Sequence, residues 1–144
     1  MRIKITNETG YDTKKIRKLV RASLKAVGYD TTINCRLLVE VVYSRSRHTT
    51  GWALIGHSRR FPALLMKLRF PKPDRWWSGT WRGIVAVAVH ECMHLVGVQH
   101  RDMTKQQRWC SGPIPAWAKE LEPFISMEDM ADDRVLQLAA GRDP

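Results

Sequence analysis

The chain has 144 residues, 44% hydrophobic and 26% charged, with a formal net charge of +10. That size and balance fit one globular domain that can bury a core without disulfides, and they exclude a disordered or low-complexity chain. No apolar run approaches the ~20 residues of a membrane span and no apolar segment follows Met1, so neither a membrane span nor a secretory signal is expected, and a cytoplasmic location is.

The charge is uneven. Residues 1–82 hold 18 Lys and Arg against 5 Asp and Glu, while residues 83–144 hold 6 against 9. A basic half points to an acidic partner, nucleic acid or an acidic protein, or to a solvated surface alone. The three cysteines, Cys35, Cys92 and Cys110, are odd in number and widely spaced, which speaks against a disulfide framework and for a reducing compartment.

Arg2 to Thr6 alternates polar and apolar and reads as a strand. Asn7 to Gly10 is a turn. Asp12 or Thr13 can cap a helix running to about Val27, with Ile16, Leu19, Val20, Leu24, Ala26 and Val27 on its apolar side and Gly28 as its stop. The other side carries Lys14, Lys15, Lys18, Arg21 and Lys25, a face for phosphates or simply a solvated one. Cys35 to Tyr43 alternates Leu37, Val39, Val41 and Tyr43, and predicts a second strand. Residues 51–56 and 63–70 predict two more, the last with Leu64, Met66, Leu68 and Phe70 on one face. The order is β-α-β-β-β. Pro71, Pro73 and Asp74 then break the chain. The cluster Trp76, Trp77, Trp81 with Arg75 and Arg82 can pack on the next helix, line a cleft or stack on bases.

Thr80 to Val96 predicts a nearly all-apolar helix that runs through the core. Its end carries His90-Glu91-Cys92-Met93-His94-Leu95-Val96-Gly97-Val98-Gln99-His100. Residues four apart on a helix lie about 40° apart in projection and one turn apart along the axis, so His90 and His94 can grip one metal ion. Glu91 falls on a neighbouring face, where its carboxylate can reach a water at the metal without being a ligand. Gly97 can take positive φ, end the helix and swing the chain back so that His100 supplies a third nitrogen. Three neutral imidazoles leave one position of a tetrahedral site open, which describes a catalytic rather than a structural zinc. Cys92 points away from that face. Cys110 is the only further candidate ligand, and three histidines suffice without it.

This stretch resembles the metzincin clan of zinc endopeptidases, whose pattern is H-E-x-x-H-x-x-G-x-x-H. His90, Glu91, His94, Gly97 and His100 match all five fixed positions. The resemblance implies an α+β fold: a small mixed β-sheet with an N-terminal helix and a core active-site helix, then a short, mostly helical C-terminal subdomain. It implies a single metallopeptidase-like domain over 1–144, with the sheet and zinc helix in 1–97 and the C-terminal subdomain in 98–144. It also implies one catalytic Zn2+ ion on His90, His94 and His100, Glu91 as general base, and a polypeptide substrate paired along an edge strand. Residues 63–70 are the first candidate for that edge and 51–57 the second. The clan has a methionine in a turn beneath the zinc. Met103 follows His100 too closely for that place. Met127 is the candidate, although Ser126 and Asp129 equally read as a capping box opening a helix over 127–140.

Asp102 can orient a ligand, cap the turn or face solvent. Tyr11, Tyr29 and Tyr43 all precede the motif, so no downstream tyrosine can serve the metal. Two other functions fit the residues: a zinc-dependent amidase acting on a non-protein substrate, and a basic nucleic-acid-associated module whose zinc is mainly structural.

Overall fold

The computed structural model describes residues 1–44, 51–57, 62–70, 80–110 and 115–119, with only the backbone described at 51–57, 62–63, 80–82 and 119. Its elements are β1 (Arg2–Asn7), α1 (Thr13–Ala26), β2 (Arg36–Tyr43), β3 (Gly51–His57), β4 (Pro62–Phe70), α2 (Thr80–Leu95), a 3-10 turn (His100–Asp102), α3 (Lys105–Arg108) and α4 (Ala116–Lys119). The fold is a small α+β one, and the β-α-β-β-β order is as expected. The expected helix over 127–140, Met127 within it, and Trp76 and Trp77 lie outside the described residues.

The four strands form one mixed sheet in the order β1-β2-β4-β3. β1, β2 and β4 run parallel, and β3 pairs antiparallel with β4. This corrects the edge assignment. Strand β4, the first candidate, is interior, bonded to β2 on one side and β3 on the other; β3, the second candidate, is one of the two edges of the described sheet, with β1 at the other. Alternation such as Leu64, Met66, Leu68 and Phe70 reports which face of a strand is buried. It carries no information about how many of the strand's backbone groups are already paired.

Side-chain alternation places Ile3, Leu37, Val39, Val41, Leu64, Met66, Leu68 and Phe70 on one buried face. Helix α1 covers it with Ile16, Leu19, Val20 and Leu24, and α2 with Ile84, Val85, Val87, Ala88, Cys92 and Leu95. The two helices pack against each other, and α2 lies against β3 and β4. The Asp12 carboxylate caps α1 by accepting from Lys15 N–H at 3.0 Å. Ala26, expected on the buried side of α1, is exposed, because at 100° per residue it falls about 90° from the centre of the buried face, whereas Val27 still packs against the core.

Where β1 enters α1, Tyr11 is buried edge-on to Tyr43 and Phe70, with ring centroids 5.9 and 6.0 Å away. The Tyr43 hydroxyl accepts from Gly10 N–H at 2.8 Å. The tyrosines thus stitch the start of the sheet, and Tyr29 lies by Cys35. Among the described residues no helix is long and apolar enough to cross a membrane.

Neighbours on β4 make opposite contributions. Met66 is buried in the core, whereas Lys67 points to the other face and meets Glu40 at 3.6 Å across a partly exposed pair. Met66→Ala is expected to destabilise the fold by about 2–5 kcal/mol. Lys67→Ala is expected to cost less than about 1 kcal/mol. Urea unfolding of the two variants measures both, and equal losses would contradict the sidedness of β4.

Candidate metal centre

Helix α2 enters the core with apolar side chains on nearly every side, so packing from α1 and the sheet holds its last turn in place. Its last two turns present His90, Glu91 and His94. Gly97, at φ +86°, ends the helix. Val98 N–H donates to the Met93 carbonyl and Gly97 N–H to the His94 carbonyl, both at 3.0 Å. These are the two reversed bonds of a Schellman motif, which satisfy carbonyls the helix end would leave bare. Helix α1 ends the same way at Gly28, also at φ +86°, with Tyr29 N–H on Leu24 O and Gly28 N–H on Lys25 O.

The chain then turns back through extended Gln99 into the 3-10 turn that carries His100. The Asp102 carboxylate accepts from Gln99 N–H at 3.3 Å. Of its three expected roles Asp102 takes two: it caps the turn and is exposed to solvent.

The three Nε2 atoms converge. His90 and His94 are 3.2 Å apart, and His100 lies 3.1 Å from each. The outer nitrogens are held by backbone carbonyls: His90 Nδ1–H donates to Gln107 O at 2.9 Å, and His94 Nδ1–H to Val98 O at 2.8 Å. A carbonyl can only accept, so in the neutral rings the proton sits on Nδ1 and Nε2 is a bare lone pair. Two bare lone pairs aimed at each other at this distance repel, and a cation between them removes the conflict.

The size also fits. Nitrogens about 2.0–2.1 Å from a tetrahedral zinc are separated by about 3.3 Å. His90, His94 and His100 are thus positioned to hold one metal ion.

Glu91 is 1% exposed, and its Oε1 lies 3.9 Å from His90 Nε2, beside the triad and not part of it. Cys110 also stands outside the cluster. It lies at positive φ where α3 has ended, so its backbone serves the turn that closes that helix. Cys92 is wholly in the core, and burial, with Glu91 nearby, pushes its thiol far up.

Gln107 is the contributor that sequence reasoning missed. Thr104 and Gln107 cap α3 reciprocally: Gln107 N–H donates to Thr104 Oγ1 at 3.2 Å and Thr104 N–H to Gln107 Oε1 at 3.0 Å. The T-x-x-Q spacing is a legible capping box. That the same residue's carbonyl reaches His90, seventeen residues back, is visible only in three dimensions.

Burial is the main force holding His90 below its ordinary pKa of 6.5, with His94 and His100 adding to it and the Gln107 carbonyl opposing. His100 is lowered by desolvation first, then by His94 and by the Arg108 guanidinium. Folding therefore favours the neutral, metal-binding form of both rings.

Because the folded pKa lies below the unfolded one, the metal-free protein should keep this contribution above pH 6.5 and lose it as pH falls through the folded values. Bound metal should be released over the same acidic range as protons compete for Nε2. Thermal melts of metal-free protein, and metal content after dialysis, from pH 8 to pH 5 check both; stability that rises on acidification would contradict the sign.

The two glycine stops supply a controlled comparison. A Cβ at Gly28 or Gly97 would meet nothing within 4 Å, so each alanine variant pays only for positive φ. Gly97→Ala and Gly28→Ala should each cost about 1–2 kcal/mol in chemical unfolding. Only Gly97→Ala should also weaken metal binding in a competition titration with a chromophoric chelator, because only that turn aims His100.

Comparison with known proteins finds no family model, no curated protein and no solved structure that matches the chain. What stands is the geometry: three histidines positioned to hold a metal ion, with a buried carboxylate beside them.

Proposed function

We propose that the chain is a zinc-dependent endopeptidase of metzincin-like design. The observation that carries this reading is the convergence of three imidazole Nε2 atoms with the Glu91 carboxylate 3.9 Å from one of them. Three imidazoles suit zinc among several transition metals, and a three-nitrogen set leaves a position for chemistry. Zinc, when bound, supplies Lewis-acid polarisation of a carbonyl and lowers the pKa of water toward neutrality.

The remaining work falls to the chain. His90 and His94 are held in orientation through their Nδ1–H bonds to Gln107 and Val98. Glu91, fixed by burial, takes the proton of the attacking water on one carboxylate oxygen and returns it to the leaving amine. Peptide substrate would lie extended along β3, the edge strand that packs on α2. Among the described residues no strand pairs with the outer side of β3, where a further antiparallel strand can add.

A second observation favours an acidic partner for the basic half. Lys14, Lys18, Arg21 and Lys25 are all exposed on α1. Nucleic acid or an acidic protein bound there would show salt-sensitive affinity that survives loss of Glu91.

The reading is tested with the zinc-loaded wild type and Glu91→Gln on an unfolded protein substrate, with metal content measured for both. Equal zinc and a loss of about 10²–10⁴-fold in cleavage rate is expected for the variant. If both proteins hold zinc and neither cuts, the endopeptidase reading fails and an amidase acting on a non-protein substrate replaces it.

A further inference from the structure

The segment that follows the third histidine has a charge arrangement that metal holding does not explain. Arg108 comes directly after Gln107, whose carbonyl is on His90 at 2.9 Å, so the start of the Arg108 side chain is close to the triad. Its charge is felt at His100, where it adds to the lowering of that ring's pKa. A guanidinium beside a site for a divalent cation is repelled by it. Among the described residues no carboxylate forms an ion pair with Arg108; its guanidinium carbon instead lies 5.7 Å from the centre of the Trp109 ring. Trp109 is 63% exposed, above the other large apolar side chains that reach the surface among the described residues, Ile33 and Val96. Arg101 and Lys105, on the same segment, are also exposed.

An arginine that has no carboxylate partner among the described residues, over an exposed indole and one residue from the carbonyl that holds His90, is suited to a ligand that is anionic at one end and apolar along its body. The guanidinium fork matches a carboxylate with two parallel N–H donors, and the indole supplies a flat apolar wall.

We propose that Arg108 and Trp109 form a substrate subsite that binds a carboxylate of the peptide, from an acidic side chain or from the chain's C-terminus, next to the metal centre. The proposal rests on the endopeptidase reading and names the substrate class of that site. Arg108 selects substrate; Glu91 and the histidines do the chemistry. The carboxylate offsets the repulsion between Arg108 and the metal, so binding of metal and of acidic peptide should reinforce each other.

The experiment uses the full-length, zinc-loaded Glu91→Gln protein, which cannot turn the ligand over, and calorimetric titration with three peptides of one length. The first has an internal Asp and an amidated end, the second Asn in its place with a free C-terminus, and the third Asn with an amidated end. Either of the first two is expected to bind at least about tenfold tighter than the third, and the tighter of them identifies the source of the carboxylate. Arg108→Ala added to that protein should remove the difference while zinc content and melting temperature stay the same, since the residue is exposed on a four-residue helix. Equal affinity for all three peptides overturns the proposal, as does a preference that survives Arg108→Ala. Cleavage by the wild-type protein is measured in parallel. Cutting without acidic preference removes the subsite and leaves the peptidase; carboxylate preference in binding without any cutting keeps the subsite and removes the peptidase.

Discussion

The reversal at Gly97 is the constraint on which the metal centre depends. Had α2 continued, His100 would lie about 9 Å further along the axis than His94, beyond any shared ion. Positive φ at Gly97 allows the Val98 and Gly97 amides to fold back on Met93 and His94, and the chain leaves in the opposite sense. Everything after that point contributes to holding the return: Asp102 caps the turn that carries His100, and α3 delivers the Gln107 carbonyl to His90. The same Schellman geometry at Gly28 ends α1 with no chemistry attached. The motif is therefore a general helix stop, and the histidines placed around it make it a site.

Rigidity comes from the packing of α2 along its length. Its apolar surface lies between α1 and the β3–β4 side of the sheet, so the last turn cannot tilt without disturbing the core. Burial has a second consequence. It disfavours the charged form of His90 and keeps the proton on the nitrogen that faces a carbonyl. The lone pairs are thus directed inward before any ion arrives, and the ordering cost is met by folding. Holding both orienting nitrogens on backbone carbonyls ties ligand geometry to the main chain, which side-chain rotation cannot disturb.

Much of this was readable in the residues. Alternation in β1, β2 and β4, a 3.6-residue period in α1 and a nearly all-apolar α2 predicted the elements in order. The spacing of His90, Glu91, His94, Gly97 and His100 predicted the cluster, because helical geometry and a glycine stop are local properties that a dozen residues determine. The cap at Asp12 and the stops at Gly28 and Gly97 were legible for the same reason.

What only the tertiary structure decided is non-local. Pairing order is one case: the resemblance made β4 the first candidate for the edge, yet it lies between β2 and β3, because alternation encodes the buried face and leaves the neighbours of a strand unspecified. The Gln107 carbonyl on His90 is another, since a backbone group carries no residue-type signal of the partner it will meet. The approach of the Arg108 guanidinium to the Trp109 ring is a third. By itself the sequence determined which atoms could bind a metal and where the chain would turn. The fold decided how those atoms are oriented and what surrounds them, because orientation is set by contacts between segments distant in the chain.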